Sequence, residues 1–175
     1  MCIRDRAGEE TSCKTPLTGS FYFLVQNTIH KADVVSAKSV AVKLLSRREH
    51  SALEIRNKLT EREFEAAEIE QAISELIEGG WLSDERFTEA YIRMRQLKGF
   101  GPIRIVMELN ERGVKDSVID HFMQADDESW RLVLEQQYRK KYKNKAIEDY
   151  TDKAKRIRFL QYRGFALDQI YQVVK

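Results

Sequence analysis

The sequence predicts an all-helical protein made of three tandem three-helix repeats, helix-turn-helix-like, stacked into an elongated, curved array. Three observations predict it. The first is an internal register: Leu59, Leu109 and Leu160 stand 50 and 51 residues apart, and each is followed by the same pattern. An arginine comes three residues later (Arg62, Arg112, Arg163) and a bulky apolar residue five later (Phe64, Val114, Phe165). An isoleucine comes ten later (Ile69, Ile119, Ile170) and another apolar residue fourteen later (Ile73, Met123, Val174). The second observation is punctuation: two prolines and eight glycines in 175 residues leave long uninterrupted stretches, as helices require. The third is that the remaining apolar residues recur at helical spacing.

Residues 1–35 lie outside this register. Gly, Ser and Thr cluster at Thr11 to Ser20, an aromatic run follows at Phe21 to Leu24, and no helical period is sustained. The opening Met1-Cys2-Ile3-Arg4-Asp5-Arg6 resembles adapter sequence read as coding, so the segment reads as an unmatched tail, artefactual or disordered.

The first module spans 36–82. Val40, Ala41, Leu44, Leu45 and Arg48 share one face of its first helix, and its closing helix, with Ile69, Ile73, Leu76 and Ile77, stops at Gly79-Gly80. The second spans 83–124. Ser83 or Asp84 caps a helix with Phe87, Ala90, Tyr91 and Met94 on one face. Gly99-Phe100-Gly101 then turns the chain, and Pro102 opens the middle helix, where its missing N–H costs nothing. The third spans 126–175, with Trp130, Val133, Leu134, Gln137 and Tyr138 forming a stripe after Asp126 and Asp127.

In the second and third copies a glycine, Gly113 or Gly164, directly follows the arginine, which predicts a left-handed cap ending the middle helix. Glu63 holds that place in the first copy, so that turn is either strained or built differently. A lone module of this size buries too little apolar surface to offset the entropy of ordering it, so neighbours must stack. A stacked array offers a long face, which suits a large partner better than a small substrate.

No catalytic constellation is present. Cys2 and Cys13 both fall in the tail, which leaves the folded part without a disulfide framework or a zinc ribbon. His30, His50 and His121 are isolated and read as structural, and there is no His-Glu-x-x-His pattern. The Gly99-Phe100-Gly101-Pro102 hairpin is not a phosphate loop, since no strand precedes it and no Gly-Lys-Ser/Thr follows. The acidic pairs Asp126-Asp127 and Glu148-Asp149 are explained by helix capping. The longest apolar run, Phe21 to Val25, falls far short of the roughly 20 residues of a membrane helix. The expectation is a cytoplasmic, monomeric binding protein without catalytic residues, metal or cofactor.

Charge points to the kind of partner. The net charge is only +2, yet Glu49 to Glu89 holds twelve acidic and four basic side chains, and Arg131 to Arg163 eleven basic and four acidic. One basic cluster comprises Arg139, Lys140, Lys141, Lys143 and Lys145, continued by Lys153, Lys155, Arg156 and Arg158. Another surrounds the glycine hairpin, with Arg93, Arg95, Lys98 and Arg104. Such surplus fits phosphate or an acidic protein groove. The candidate partner-binding residues are Arg93, Lys98, Arg104, Lys140, Lys141, Lys155, Arg156 and Arg158. Tyr138, Phe159 and Tyr162 are expected in the core or half-buried.

Several stretches resemble the RecX family of bacterial regulatory proteins. They are Ser46-Arg47-Arg48-Glu49-His50-Ser51 with Leu53 and Lys58-Leu59, then Trp81-Leu82-Ser83-Asp84-Glu85-Arg86-Phe87. Lys98-Gly99-Phe100-Gly101-Pro102-Ile103-Arg104-Ile105, with Glu108-Leu109 and Arg112-Gly113-Val114, is the most specific. Phe159-Leu160-Gln161-Tyr162-Arg163-Gly164-Phe165 closes a resemblance that covers about 36–175. Ser83 departs from it, standing where an acid is common. The resemblance implies three three-helix modules and a protein that binds the RecA filament on single-stranded DNA, with weak, non-specific contact to that DNA. It further implies suppression of the filament's ATP hydrolysis and strand exchange. The alternative is a sequence-specific helix-turn-helix DNA-binding regulator, which would dimerise and concentrate Arg, Asn and Gln at the start of one helix.

Overall fold

In this computed structural model the described residues are 35–123, 127–143 and 145–175, and among them nine helices and no strand form. They group in threes: α1 (Ala37–Leu45), α2 (Ala52–Thr60) and α3 (Ala66–Glu78); α4 (Asp84–Leu97), α5 (Pro102–Asn110) and α6 (Asp116–Met123); α7 (Asp127–Tyr142), α8 (Tyr150–Tyr162) and α9 (Leu167–Val173). The tail reading of residues 1–35 lies, apart from Val35, outside the described residues. So does the capping expected of Asp126 and of the Asp127 side chain.

Side chains start several of these helices. Ser36, Ser51, Ser83 and Asp149 each accept a hydrogen bond from the backbone N–H three residues on, satisfying one otherwise orphaned donor. Of the two candidates at α4, Ser83 is the cap. Asp84 instead accepts the Ala52 N–H at 2.9 Å, joining the start of α4 to the start of α2.

The middle helices all end the same way. The N–H of Phe64, Val114 and Phe165 reaches back to the carbonyl of Leu59, Leu109 and Leu160 at 3.4, 3.2 and 3.3 Å. This six-to-one bond requires a left-handed residue just before it. Gly113 and Gly164 supply it with φ of 73° and 89°, and Glu63 adopts the same conformation with φ of 62°. The first turn is therefore the strained version of the other two, because its Cβ crowds a backbone that only glycine adopts freely.

The repeated columns are core. Leu59, Leu109 and Leu160 are fully buried, as are Ile69, Ile119 and Ile170 to within a few per cent. Buried residues fall into three clusters, from Ala37 to Leu82, from Phe87 to Trp130, and from Leu134 to Val174. Trp130 departs from expectation: it lies on α7, but it packs into the second cluster and not the third. The long helix α7 thus spans two cores, contributing Trp130 to one and Leu134 to the next.

The joint between modules also repeats. The Ser51 hydroxyl at the start of α2 donates to the Arg112 carbonyl at the end of α5, at 2.8 Å. At the start of α5, the Gly101 N–H donates to the Arg163 carbonyl at 2.8 Å and the Ile103 N–H to the Gly164 carbonyl at 3.1 Å. A Cβ on Gly101 would sit 2.4 Å from the Gly164 oxygen, so only glycine allows this approach. The arginine column belongs to the joints. Arg112 lies 3.3 Å from the Glu54 carboxylate and Arg163 donates to the Lys98 carbonyl at 2.8 Å. Arg62, with no module ahead of it among the described residues, is exposed.

Replacing Glu63 by glycine should raise stability. Relief of a left-handed non-glycine residue, about 1–2 kcal/mol, is partly offset by the entropy of the added glycine, leaving a gain of roughly 0.5–1 kcal/mol. Thermal unfolding followed by circular dichroism should show Tm up by a few degrees. An unchanged or lower Tm would mean that the turn is unstrained.

Candidate functional site

On α5 the apolar residues Ile105 and Leu109 define the inward face, and Glu108 shares it, three residues after one and beside the other. Glu108 is only 8% exposed. A buried charge survives only if it is paired and hydrogen-bonded. Its carboxylate accepts hydrogen bonds from the Tyr91 hydroxyl at 2.9 Å, from Arg104 Nε at 3.0 Å and from the Arg95 guanidinium. Its backbone carbonyl accepts one from Arg112 at 2.5 Å. Burial alone would raise the pKa of Glu108, but the hydrogen bonds from Arg104, Arg95 and Tyr91 outweigh it and hold the carboxyl below its ordinary range. Burial, then the bond to Glu108, pushes the Tyr91 phenol up to about 12.

Aromatic rings separate the guanidinium groups around this carboxylate. Arg95 lies 3.7 Å, Arg104 5.1 Å and Arg163 4.8 Å from the Phe100 ring centre. Arg112 stands 4.7 Å from Tyr91, and Arg104 also faces Tyr162 at 4.9 Å. Planar guanidinium groups stack on ring faces while their edges donate hydrogen bonds, a combination lysine cannot match. Arg104 binds Glu108 through Nε and the Tyr162 carbonyl through Nη1 at 3.0 Å, so it spans α5 and α8. The seam between the second and third modules therefore carries more cations than its one carboxylate balances.

The third module holds the other cations in three different ways. Arg156 is 3% exposed and is spent inside the module. It donates to the Tyr138 hydroxyl and the Lys145 and Ala146 carbonyls, each at 2.8 Å, and pairs with Asp152 at 2.6 Å. It cannot meet a partner, and the expectation that it does is corrected: it ties the α7–α8 connection to α8. Lys141 is exposed but rests its ammonium 3.5 Å from the Phe159 ring centre, while Lys140 is exposed on α7. Lys155 and Arg158 are exposed on α8. Tyr162, expected in the core or half-buried, is 71% exposed. Arg156 and Leu160 occupy the inward face of α8, and a residue two places after Leu160 lies about 200° around the helix.

The structure groups Lys98 and Arg104 at the α4–α5 hairpin, next to the end of α8. Arg93 is elsewhere: it pairs with Glu89 at 2.6 Å and lines a shallow groove with Ile92, Gln96 and Phe122. Two residues from Arg95, it faces the opposite side of α4. Gly99, Gly101, Pro102, Gly113 and Gly164 build the turns that bring these groups together. His50 is buried, donates to the Arg48 carbonyl at 3.0 Å, and has its pKa lowered by burial and then by the Arg48 charge. Glu108, Tyr91 and Phe100 figure in the sequence only as motif or helix-face residues, and their meeting around one buried carboxylate is what sequence reasoning missed. The signal was an acid on the apolar face of a helix. Among the described residues no group of His, Cys, Asp and Glu could hold a metal ion, and no helix is long and apolar enough to cross a membrane.

Three family models match the chain in order: the first three-helix domain of RecX over residues 37–76, the second over 83–123 and the third over 133–174. The chain is 39% identical over 140 residues to the regulatory protein RecX of Vibrio parahaemolyticus, covering 80% of this chain and 90% of that protein. It is 38% identical over 141 residues to the one from Pseudomonas tolaasii, covering 81% and 91%. The crystal structure of RecX from Lactobacillus salivarius superposes with a TM-score of 0.68 at 20% identity, over 79% of this chain and 92% of that one. A second crystal structure, of a regulatory protein RecX, gives 0.66 at 21% identity, over 79% and 69%.

Glu108 should carry a measurable part of the stability. Alanine there strands Arg95 and Arg104 and should cost about 3 kcal/mol in urea unfolding. Because its pKa is depressed on folding, its contribution is complete above the unfolded value, roughly 4.3, and is lost as pH falls through the lower folded value. Glu108→Gln should remove that segment of acid sensitivity. An identical acid profile in the glutamine variant would deny Glu108 this role.

Proposed function

The chain belongs to the RecX family, and on that premise we propose that it binds the RecA–single-stranded DNA filament in the cytoplasm and restrains its ATPase, recombinase and strand-exchange activity, thereby regulating DNA repair. The observation that carries this reading is the surplus of exposed positive charge on the third module, with Lys98 beside it at the α4–α5 hairpin. Lys98, Lys140, Lys141, Lys155 and Arg158 are exposed, with Arg104 half-buried between the two modules. A nucleoprotein filament offers both phosphates and protein carboxylates to such groups. Family membership supports a regulatory, non-enzymatic role, and the seam's arginines find their work in packing.

The helix-turn-helix alternative would place the third helix of a module in a DNA groove. Those helices open Ala66-Ala67-Glu68, Asp116-Ser117-Val118 and Leu167-Asp168-Gln169. Each carries an acid in its first turn, where phosphate would be repelled, and none presents the arginines that read bases.

The test is ATP hydrolysis by RecA on single-stranded DNA with the full chain titrated in at low salt. Inhibition should appear well below one chain per RecA protomer. Combining Lys140→Glu, Lys155→Glu and Arg158→Glu should raise the concentration needed roughly tenfold or more, with the thermal melt unchanged. Arg156 is left intact because it is buried and bonded within the module. Absence of inhibition by the parent chain would sink the proposal.

A further inference from the structure

Helix α8 has two faces of different character. Arg156 and Leu160 are buried, while Lys155, Arg158 and Tyr162 share the outward face at positions i, i+3 and i+7. At 1.5 Å per residue the three lie along about 10 Å of helix. Neither Lys155 nor Arg158 forms an ion pair among the described residues, in contrast to Arg131, Arg139 and Arg156 in the same module. Tyr162 projects with 71% of its surface exposed. The Arg104 guanidinium lies 4.9 Å from its ring centre and binds its backbone carbonyl, so the ring is steadied from the second module.

Single exposed aromatic residues such as Tyr150 need no cover, but Tyr162 has its ring held by Arg104 and shares its helix face with two cations that form no ion pair among the described residues. A ligand that engages all three groups is planar enough to stack and carries negative charge spaced along the helix. Single-stranded nucleic acid meets both conditions, since its unpaired bases stack on aromatic rings while its phosphates meet cations. An acidic peptide would use Lys155 and Arg158 and leave the ring largely idle. A duplex keeps its base faces stacked away. We propose that Lys155, Arg158 and Tyr162 form a single-strand track on α8, with Tyr162 stacking one unpaired base and the two cations meeting the neighbouring phosphates. This rests on the reading of the chain as one that meets single-stranded DNA, but binding to bare DNA tests it separately from any effect on RecA.

The experiment is fluorescence anisotropy of the full chain on a labelled oligothymidine of about 20 nucleotides, longer than one binding site, across a salt series. Tyr162→Ala should weaken binding by roughly 5- to 150-fold, the contribution of one stacked base, without changing the slope of log affinity against log salt. Tyr162→Trp should restore it. Lys155→Ala with Arg158→Ala should flatten the salt slope by about 1.4, or 0.7 per phosphate contact on a single strand. A duplex of the same length should not notice Tyr162→Ala. Unchanged single-strand affinity in Tyr162→Ala, or no binding by the parent at low salt, would overturn the track. If all three substitutions spare oligonucleotide binding yet abolish inhibition of RecA, the face docks on protein and the track is wrong. If they impair oligonucleotide binding while the parent never inhibits RecA, the track stands and the filament reading falls.

Discussion

Between the second and third modules two backbones meet with no side chain between them. The Gly101 N–H donates to the Arg163 carbonyl, and a Cβ in that place would overlap the next peptide. Side-chain packing between helices tolerates shifts of an ångström or so, whereas a direct backbone bond fixes position and direction together. The start of α5 is thereby locked onto the end of α8. Phe100, one residue before Gly101, is held where Arg95 from its own module and Arg163 from the next can both stack on it. Arg104 is carried to a point from which it reaches Glu108 on one side and Tyr162 on the other. At the first joint a serine hydroxyl, from Ser51, does the work of the Gly101 N–H, so that approach is one side chain looser.

Locking modules this way brings guanidinium groups close together, and Glu108 is what makes that arrangement tolerable. The division of labour among the cations follows from their chemistry. Arginine can donate from several edges while stacking through its face, so Arg95, Arg104, Arg112, Arg156 and Arg163 serve the joints and the α7–α8 connection. Lysine is a compact, strongly hydrated charge that gains little from burial. Lys98, Lys140 and Lys155 accordingly remain in solvent, and Arg158, on the outward face of α8, joins them there. Counting basic residues along the chain mixes these two populations, which the structure separates.

That mixing marks the limit of what could be read from sequence. The recurring leucine, isoleucine and arginine columns were legible because a repeat writes the same core three times, at nearly constant spacing. The left-handed caps were legible from Gly113 and Gly164, and even the strain at Glu63 was one of the two outcomes foreseen. The purpose of the arginine column was not, because its partners at Ser51–Arg112 and Gly101–Arg163 are separated by a full module. Arg156 sits in the run Lys153, Lys155, Arg156, Arg158, and only its phase four residues before Leu160 distinguishes it from the others. The same phase places Tyr162 outside. Trp130 fits the stripe of α7, but a stripe does not say which of two neighbouring cores it enters.

The separation of charge between modules bears on how a polyanion would meet the chain. The acidic side chains between Glu49 and Glu89 belong to the first module and the start of α4, whereas the surplus cations between Arg131 and Arg163 belong to the third. Near nucleic acid the two regions feel opposite forces, and the resulting torque turns the chain before any contact forms. The third module is drawn to phosphate and the first is held off. This orientation weakens with salt over a screening length of about 8–10 Å at physiological strength, whereas Glu108 and its arginines, mostly withdrawn from solvent, are screened far less. Salt would therefore weaken a polyanion's attraction to the exposed cations without loosening the seam between the modules. On the proposed reading, stability and polyanion binding draw largely on different members of one basic population, with Arg104 shared between them.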